Sequence, residues 1–314
     1  MKILKPKIVF LGTPDFSLSS LKALIESDFK PVLVVTQPDQ PVGRKQKFTP
    51  PPIKELAADS NLKIFQPKNK IELKKIFTEQ DFDLAILVAY GMIIPAEILA
   101  KPKLGFLNLH PSLLPQYRGS SPIQTAILNG DAETGVTIIK LTDQVDAGPI
   151  VALEKIKISP EDNSEILSQR LADLGGQLLI SILPDYLSGK IQPEIQDEKK
   201  ASFTGLMKRE DGLINWQKSA PEIRRQFLAF YPWPGVFSHL DGKRVKIANL
   251  SVLEGDFDPN LRPGELFFGP NGSLAVKCGQ GGIELKTVQL EGKKEMIGKD
   301  FLRGQKDLAG KILS

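Results

Sequence analysis

The chain has 314 residues, 41% apolar and 25% charged, with a formal net charge of +4 and one cysteine, Cys278. That is enough chain for two domains with their own cores, while a single cysteine excludes a disulfide framework and a multi-cysteine metal site and suits a reducing compartment. The apolar run after the basic N-terminus is too short for a signal peptide, and no run approaches membrane-spanning length, so a cytoplasmic protein with no membrane contact is expected.

The charge is unevenly placed. Residues 1–199 carry 23 Lys and Arg against 24 Asp and Glu, whereas residues 200–314 carry 18 against 13. A near-neutral first part joined to a basic second part fits one domain that performs chemistry and another that holds a polyanion. A solvated basic surface with no partner would give the same count.

Residues 8–11 read as a short buried strand, followed by Gly12-Thr13-Pro14-Asp15, an amphipathic stretch at 16–27 and a second strand at 31–36. The turn after the first strand lacks the G-x-G-x-x-G spacing, and Pro14 removes a backbone donor that a dinucleotide loop needs. No phosphate-binding G-x-x-x-x-G-K-[ST] motif follows. The connection at 37–52 is long for a link between strand and helix, which is usually about two to six residues. It holds Arg44, Lys45 and Lys47 around Gly43, with five prolines; a phosphate-contacting arm and a plain solvent loop both fit.

Further apolar strands are expected at 84–89 and 104–109, and two more at 136–141 and 150–153. Continuous apolar strands divided by helices indicate a mostly parallel sheet covered on both faces. The strand at 104–109 runs into His110, one of two histidines in the chain, and Pro111 and Pro115 then force a turn. Asn108 and His110 are two residues apart, so an extended chain points both to one face. They would sit at the carboxyl end of a strand, where open α/β sheets place their sites; a buried, hydrogen-bonded histidine is the bland alternative. The loop Thr142-Asp143-Gln144-Val145-Asp146-Ala147-Gly148-Pro149 brings two acids, and Asp146 could serve the imidazole or cap a turn. Two distant histidines and one cysteine make a zinc site improbable. The stretch Ser164–Leu187 has helical periodicity and closes the first domain.

Composition turns polar at 189–214, which reads as a linker. A helix at 220–230, the turn Tyr231-Pro232-Trp233-Pro234-Gly235 and five or six short strands over about 80 residues then suggest a small β-barrel. Cys278 is expected to pack inside it.

Several motifs carry a resemblance: Phe10-Leu11-Gly12-Thr13-Pro14-Asp15-Phe16, the arm at 36–52, Val88-Ala89-Tyr90-Gly91-Met92-Ile93-Ile94-Pro95, the run from Asn108 through His110-Pro111-Ser112-Leu113-Leu114-Pro115-Gln116-Tyr117-Arg118-Gly119, Gly130-Asp131-Ala132-Glu133-Thr134-Gly135-Val136-Thr137, Asp211-Gly212-Leu213-Ile214-Asn215-Trp216 and the turn at 231–235. Over nearly the whole chain they resemble the methionyl-tRNA formyltransferase family. The resemblance implies an α/β protein: a Rossmann-like, mostly parallel catalytic domain at 1–189, a linker at 190–207 and an OB-like β-barrel that binds tRNA at 208–314.

It implies transfer of the formyl group of 10-formyltetrahydrofolate to the amine of methionine on initiator methionyl-tRNA, by a monomer that uses no metal. Asn108, His110 and Asp146 become the catalytic set. Tyr90, Gly91, Met92, Ile93, Ile94, Ser112, Leu113, Leu114, Pro115 and Asp143 become the folate pocket, and Arg44, Lys45 and Lys47 the tRNA-binding arm. Gln40 stands where the family often has arginine, and Gln46 separates Lys45 from Lys47. Two other readings remain open: a formyltransferase acting on a small amine such as an amino sugar or purine precursor, and a non-catalytic tRNA-binding module.

Overall fold

The computed structural model describes residues 5–43, 46–255, 257–304 and 308–314. Strand β1 (Ile8–Gly12) is buried at every position, as a strand covered on both faces must be. It leads through a short turn to α1 (Leu18–Ile25), which buries Leu21 and Leu24, and then to β2 (Leu33–Val35). The excursion that follows is an exposed hairpin, β3 (Gln40–Val42) against β4 (Lys47–Thr49). Its proline run ends by starting a helix. Pro52 opens α2 (Pro52–Asp59), at the one place in a helix where a missing N–H leaves no bond unmade.

Next come β5 (Ile64–Phe65) and α3 (Lys70–Glu79), whose free amides at Ile71 and Glu72 are capped by the Asn69 side chain. The chain continues through β6 (Leu84–Val88), α4 (Ala96–Leu99), β7 (Phe106–His110), β8 (Arg118–Gly119), α5 (Pro122–Asn129), β9 (Glu133–Lys140), β10 (Ile150–Lys157) and the 24-residue α6 (Ser164–Leu187).

The main sheet runs β10-β9-β7-β6-β1-β2-β5. The ladders from β5 to β7 are parallel, while β9 and β10 add antiparallel strands beyond β7. From β1 the chain moves outward to β2 and β5, then returns to the other side of β1 for β6 and β7. The order therefore reverses between β1 and β6, and the carboxyl ends beside that point form a crevice. One face is packed by Phe77, Phe82 and Phe106 with Val9, Leu11 and Val35, the Phe77 ring lying 5.4 Å from Phe82 and 5.3 Å from Phe106.

The chain divides into two compact units. One contains the chain up to Pro122, Glu133–Lys157 and Leu167–Gly205; the other contains Ile123–Ala132, Ile158–Ile166 and Leu206–Ser314. Residues 190–205, read from composition as linker, belong to the first unit. Glu194 and Ile150 exchange backbone hydrogen bonds of 2.8 and 2.7 Å, and β11 (Phe203–Thr204) pairs in parallel with β8. We call this segment the strap.

In the second unit, α7 (Ala220–Ala229) begins at a capping box in which Ser219 and Glu222 satisfy each other's amides. The strands are β12 (Val236–Leu240), β13 (Lys243–Leu253), β14 (Leu266–Phe268), β15 (Leu274–Lys277), β16 (Gly282–Leu290) and β17 (Met296–Ile297), followed by α8 (Gly298–Arg303). They form one antiparallel sheet, β12-β13-β16-β15-β14, with β17 on β16. Register shifts at Ile247–Leu250 bend the long β13, so the sheet curls; among the described residues no ladder joins β12 to β14. Among the described residues no helix is long and apolar enough to cross a membrane.

Candidate active site

Strand β7 lies between β6 and β9, with Asn108 opposite Leu87 and Ile139 and His110 opposite Thr137. Asn108 and His110 alternate onto one face and are 7% and 4% exposed. Pro111 ends the strand after His110, and the turn beyond it is tied back by Thr137. The Thr137 hydroxyl donates to the Ser112 carbonyl at 2.7 Å and accepts from the Leu114 amide at 3.1 Å.

Asp146 arrives from the loop between β9 and β10 with φ of +51°, a left-handed conformation that aspartate tolerates better than most residues. Its Oδ1 lies 3.4 Å from Asn108 Nδ2 and its Oδ2 3.5 Å from His110 Nδ1. The shortest contact on the carboxylate is the Gly119 amide, which donates to Oδ2 at 2.9 Å. The contacts to Asn108 and His110 are at the long limit of hydrogen bonding, which leaves both donors available to an incoming oxygen.

The other imidazole nitrogen is committed. His110 Nε2 lies 2.9 Å from the Tyr117 carbonyl, and a carbonyl only accepts, so Nε2 carries a proton. Nδ1 is thus the atom that faces Asp146.

Behind this group stands Arg118, 3% exposed, whose burial demands partners. Its Nε and Nη2 donate to Gln196 Oε1 at 3.1 and 2.8 Å, and its fork pairs with Glu198 at 2.9 and 2.7 Å. The hydrogen bond from Arg118 holds the Glu198 carboxyl below the usual carboxylate range. Gln196 in turn donates from Nε2 to the carbonyls of Asp146 and Gly148 at 2.8 and 2.7 Å. Ser202 accepts the Tyr117 amide at 2.9 Å and its carbonyl the Arg118 amide at 2.8 Å. Gly119, at φ of +110°, runs so close to the strap that a β-carbon would collide with the Thr204 carbonyl.

A cleft of about 560 Å³, counting its open mouth, adjoins this cluster. Leu87, Met92, Ile93, Ile94, Leu99 and Leu141 supply apolar walls, and Asn108 and the loop Thr142, Asp143, Gln144, Val145 and Asp146 supply polar ones. Ligand pockets share that composition. Of the expected folate residues, Met92, Ile93, Ile94 and Asp143 line the cleft. Gly91 is an exposed turn residue at φ of +86°. Tyr90 lies in the core, its hydroxyl without a partner and its phenol pushed above the ordinary value by burial. Ser112 and Leu114 are buried in the turn after β7, where the Ser112 hydroxyl donates to the Gln116 carbonyl. Leu113 and Pro115 belong to that same turn, and none of the four lines the cleft.

The hairpin arm exposes all six strand residues, Lys47 among them, with Phe48 70% exposed. Arg44 and Lys45 lie outside the described residues. The base of the arm is anchored: Asp39 accepts from Gln66 and from Lys54 at 2.8 Å each, and these bonds lower its pKa. Among the described residues no group of three or more His, Cys, Asp or Glu is placed to hold a metal ion.

Arg118, Gln196, Ser202 and Thr137 were not assigned roles from the sequence. Arg118 carried at most a weak signal, as a lone arginine between Tyr117 and Gly119 directly after the Pro111–Pro115 turn. Gln196 carried none; its stretch is polar and without period.

Residues 6–183 match the formyl transferase family, and residues 206–306 match the formyl transferase C-terminal domain. The chain is 40% identical over 306 residues to the methionyl-tRNA formyltransferase of Dehalococcoides mccartyi, covering 97% of this chain and 96% of that protein. It is 42% identical over 311 residues to that of Caldicellulosiruptor saccharolyticus, covering 98% and 99%. An N-formyltransferase from Helicobacter canadensis, solved with folinic acid and dTDP-3-aminofucose, superposes with a TM-score of 0.68 at 20% identity, over 89% of this chain and 98% of that one. HypX from Aquifex aeolicus in complex with tetrahydrofolic acid gives 0.62 at 17% identity over 95% of this chain, which spans 47% of that longer one. At such identities the two structures show a shared fold.

Proposed function

The chain belongs to the methionyl-tRNA formyltransferase family, and on that premise we propose that it transfers the formyl group of 10-formyltetrahydrofolate to the amine of methionine on initiator methionyl-tRNA. The observation that carries this reading is coverage: relatives of that name match both parts of the chain end to end. The small-amine reading rests on sugar N-formyltransferases and a complex with dTDP-3-aminofucose among the solved structures, at 17–20% identity, where likeness extends to fold alone.

The geometry supports a direct transfer. The methionine nitrogen forms a bond to the formyl carbon, negative charge gathers on the formyl oxygen, and the bond to the folate nitrogen then breaks. Asn108 Nδ2 and His110 Nδ1 are the two donors that serve that oxygen, and each is worth on the order of a hundredfold or more in rate. Asp146 holds the His110 ring in place and takes part in passing the proton lost by the amine toward the leaving folate nitrogen. The cleft suits the folate ring, with Met92, Ile93 and Ile94 against its faces and the polar groups of 142–146 along its edge.

We assign the acceptor tRNA to the arm, through Arg44, Lys45 and Lys47, and to the basic second unit, whose curled sheet we take as OB-like. The reaction belongs to the cytoplasm, where initiator tRNA is charged and used.

The test is an assay with 10-formyltetrahydrofolate and methionine tRNAs charged with radiolabelled methionine. Formylation of the initiator species well above the elongator is expected, with Arg44→Leu removing most of it. Transfer to a small amine in place of either tRNA would overturn the reading, and intact activity in Arg44→Leu would remove the arm from it.

A further inference from the structure

The strap contains one side chain whose hydrogen-bonding capacity is filled. Gln196 is 5% exposed; its two N–H groups go to the Asp146 and Gly148 carbonyls, and its Oε1 takes two bonds from Arg118. A primary amide offers two donors and one two-lone-pair acceptor, so every capacity is used. Both carbonyls belong to the loop that presents the Asp146 carboxylate. Asp146 sits in the left-handed backbone region, which costs free energy unless its surroundings hold it there. Gln196 supplies two such restraints, one at the residue itself and one two positions on.

The same segment grips the other side of the site. Ser202 and the β8–β11 pairing fix the backbone of Tyr117, Arg118 and Gly119. From that backbone the Tyr117 carbonyl fixes His110 Nε2, and the Gly119 amide fixes Asp146 Oδ2. Arg118 joins the two halves, since its amide is paired on the strap while its guanidinium braces Gln196. All these groups lie in the first unit.

We propose that Gln196, braced by Arg118, is a positioning residue for formyl transfer, setting the orientation of Asp146 toward His110 Nδ1 while touching no substrate itself. The proposal rests on the assignment of Asn108, His110 and Asp146 as the reacting group. A displacement well under 1 Å at Asp146 would change the 3.4 and 3.5 Å spacings on which oxygen stabilisation depends, and misplacements of about 1 Å cost up to a hundredfold.

Gln196→Glu isolates the effect: it keeps the shape and the Arg118 pairing but turns both loop-facing donors into acceptors. Gln196→Ala is the second variant. We expect kcat to fall 10- to 100-fold, the order seen when an outer-shell orienting partner is lost, with KM for both substrates within about threefold. The chain has two histidines, so ring ¹⁵N spectra resolve His110 against His239, which lies in the second unit and serves as the internal control. The His110 signals should move in both variants and the His239 signals stay.

Unchanged kcat in Gln196→Glu would overturn the proposal, as would lost kcat with unmoved His110 signals. Movement of both histidines together with a fallen Tm would also overturn it, by showing a general structural role. Should wild-type protein fail to formylate methionyl-tRNA, the functional reading falls, and the His110 signals still report whether Gln196 sets the site.

Discussion

The catalytic end of the sheet and the hairpin arm lie in the same unit but are built on opposite terms. All five residues of β7 are buried, and its two polar side chains are ringed by groups that are themselves held from behind. All six residues of β3 and β4 are exposed, and Phe48 shows most of its ring to solvent. The difference separates two tasks. Reaction geometry is set in advance, which removes reorganisation from the chemical step. On the proposed reading, contact with a large acceptor is left to side chains that gain partners only on binding, and that ordering is charged against affinity.

The contrast is sharpest in rates. Asn108→Ala removes one of the two donors proposed for the formyl oxygen and should lower kcat by on the order of 10² to 10³. Folate binding measured by fluorescence should change far less, and a variant that loses binding but keeps kcat would break the division between site and cleft. A smaller effect is expected at the arm. Phe48→Ala should lower kcat/KM for charged initiator tRNA by about tenfold, the scale of one lost base stack, without moving Tm. A lowered Tm would mean that the ring packs into the fold and is no part of a deferred contact.

The smallest effect concerns the strap. Arg118 lowers the Glu198 carboxyl from its ordinary value of 4.5, so the ionised group favours the native state. That contribution is complete at neutral pH and fades as pH falls through 4.5 and below. Glu198 is 68% exposed, so the gain is slight. The Tm gap between wild type and Glu198→Gln should be present at pH 7 and narrow as pH is taken below 4.5, by calorimetry. A gap that persists unchanged into acid would remove the ion pair from the account of the strap.

Much of this was legible in the sequence where hydrophobic patterning speaks. Strands β1 and β6 are continuous apolar runs, β7 is apolar but for Asn108 and His110, and α6 carries a long helical period. Asn108 and His110 were placed by alternation and by the prolines after them. Elements with weak patterns were not. Helix α2 begins inside a proline run that reads as loop, and the second half of β10, Glu154 to Lys157, is largely polar because an edge strand needs no apolar outer face. The strap is held by short backbone pairings with Ile150 and β8 and by side-chain bonds to backbone carbonyls, which leave no period and no composition signal, so a polar stretch read as linker belongs to the first unit. The cleft was half legible: Ile93 and Met92 were found, while Leu87, Leu99 and Leu141 come from elements that only the sheet order brings together.

Cys278 lies fully buried in the second unit, and burial pushes its thiol up to about 12. A thiol so placed reacts only after the surrounding structure opens, because the attacking species is the solvated thiolate. It is also the only thiol in the chain. The molecule thus contains its own clock: the pace at which an alkylating reagent marks it counts openings of the second unit and is blind to the unit that holds Asn108, His110 and Asp146.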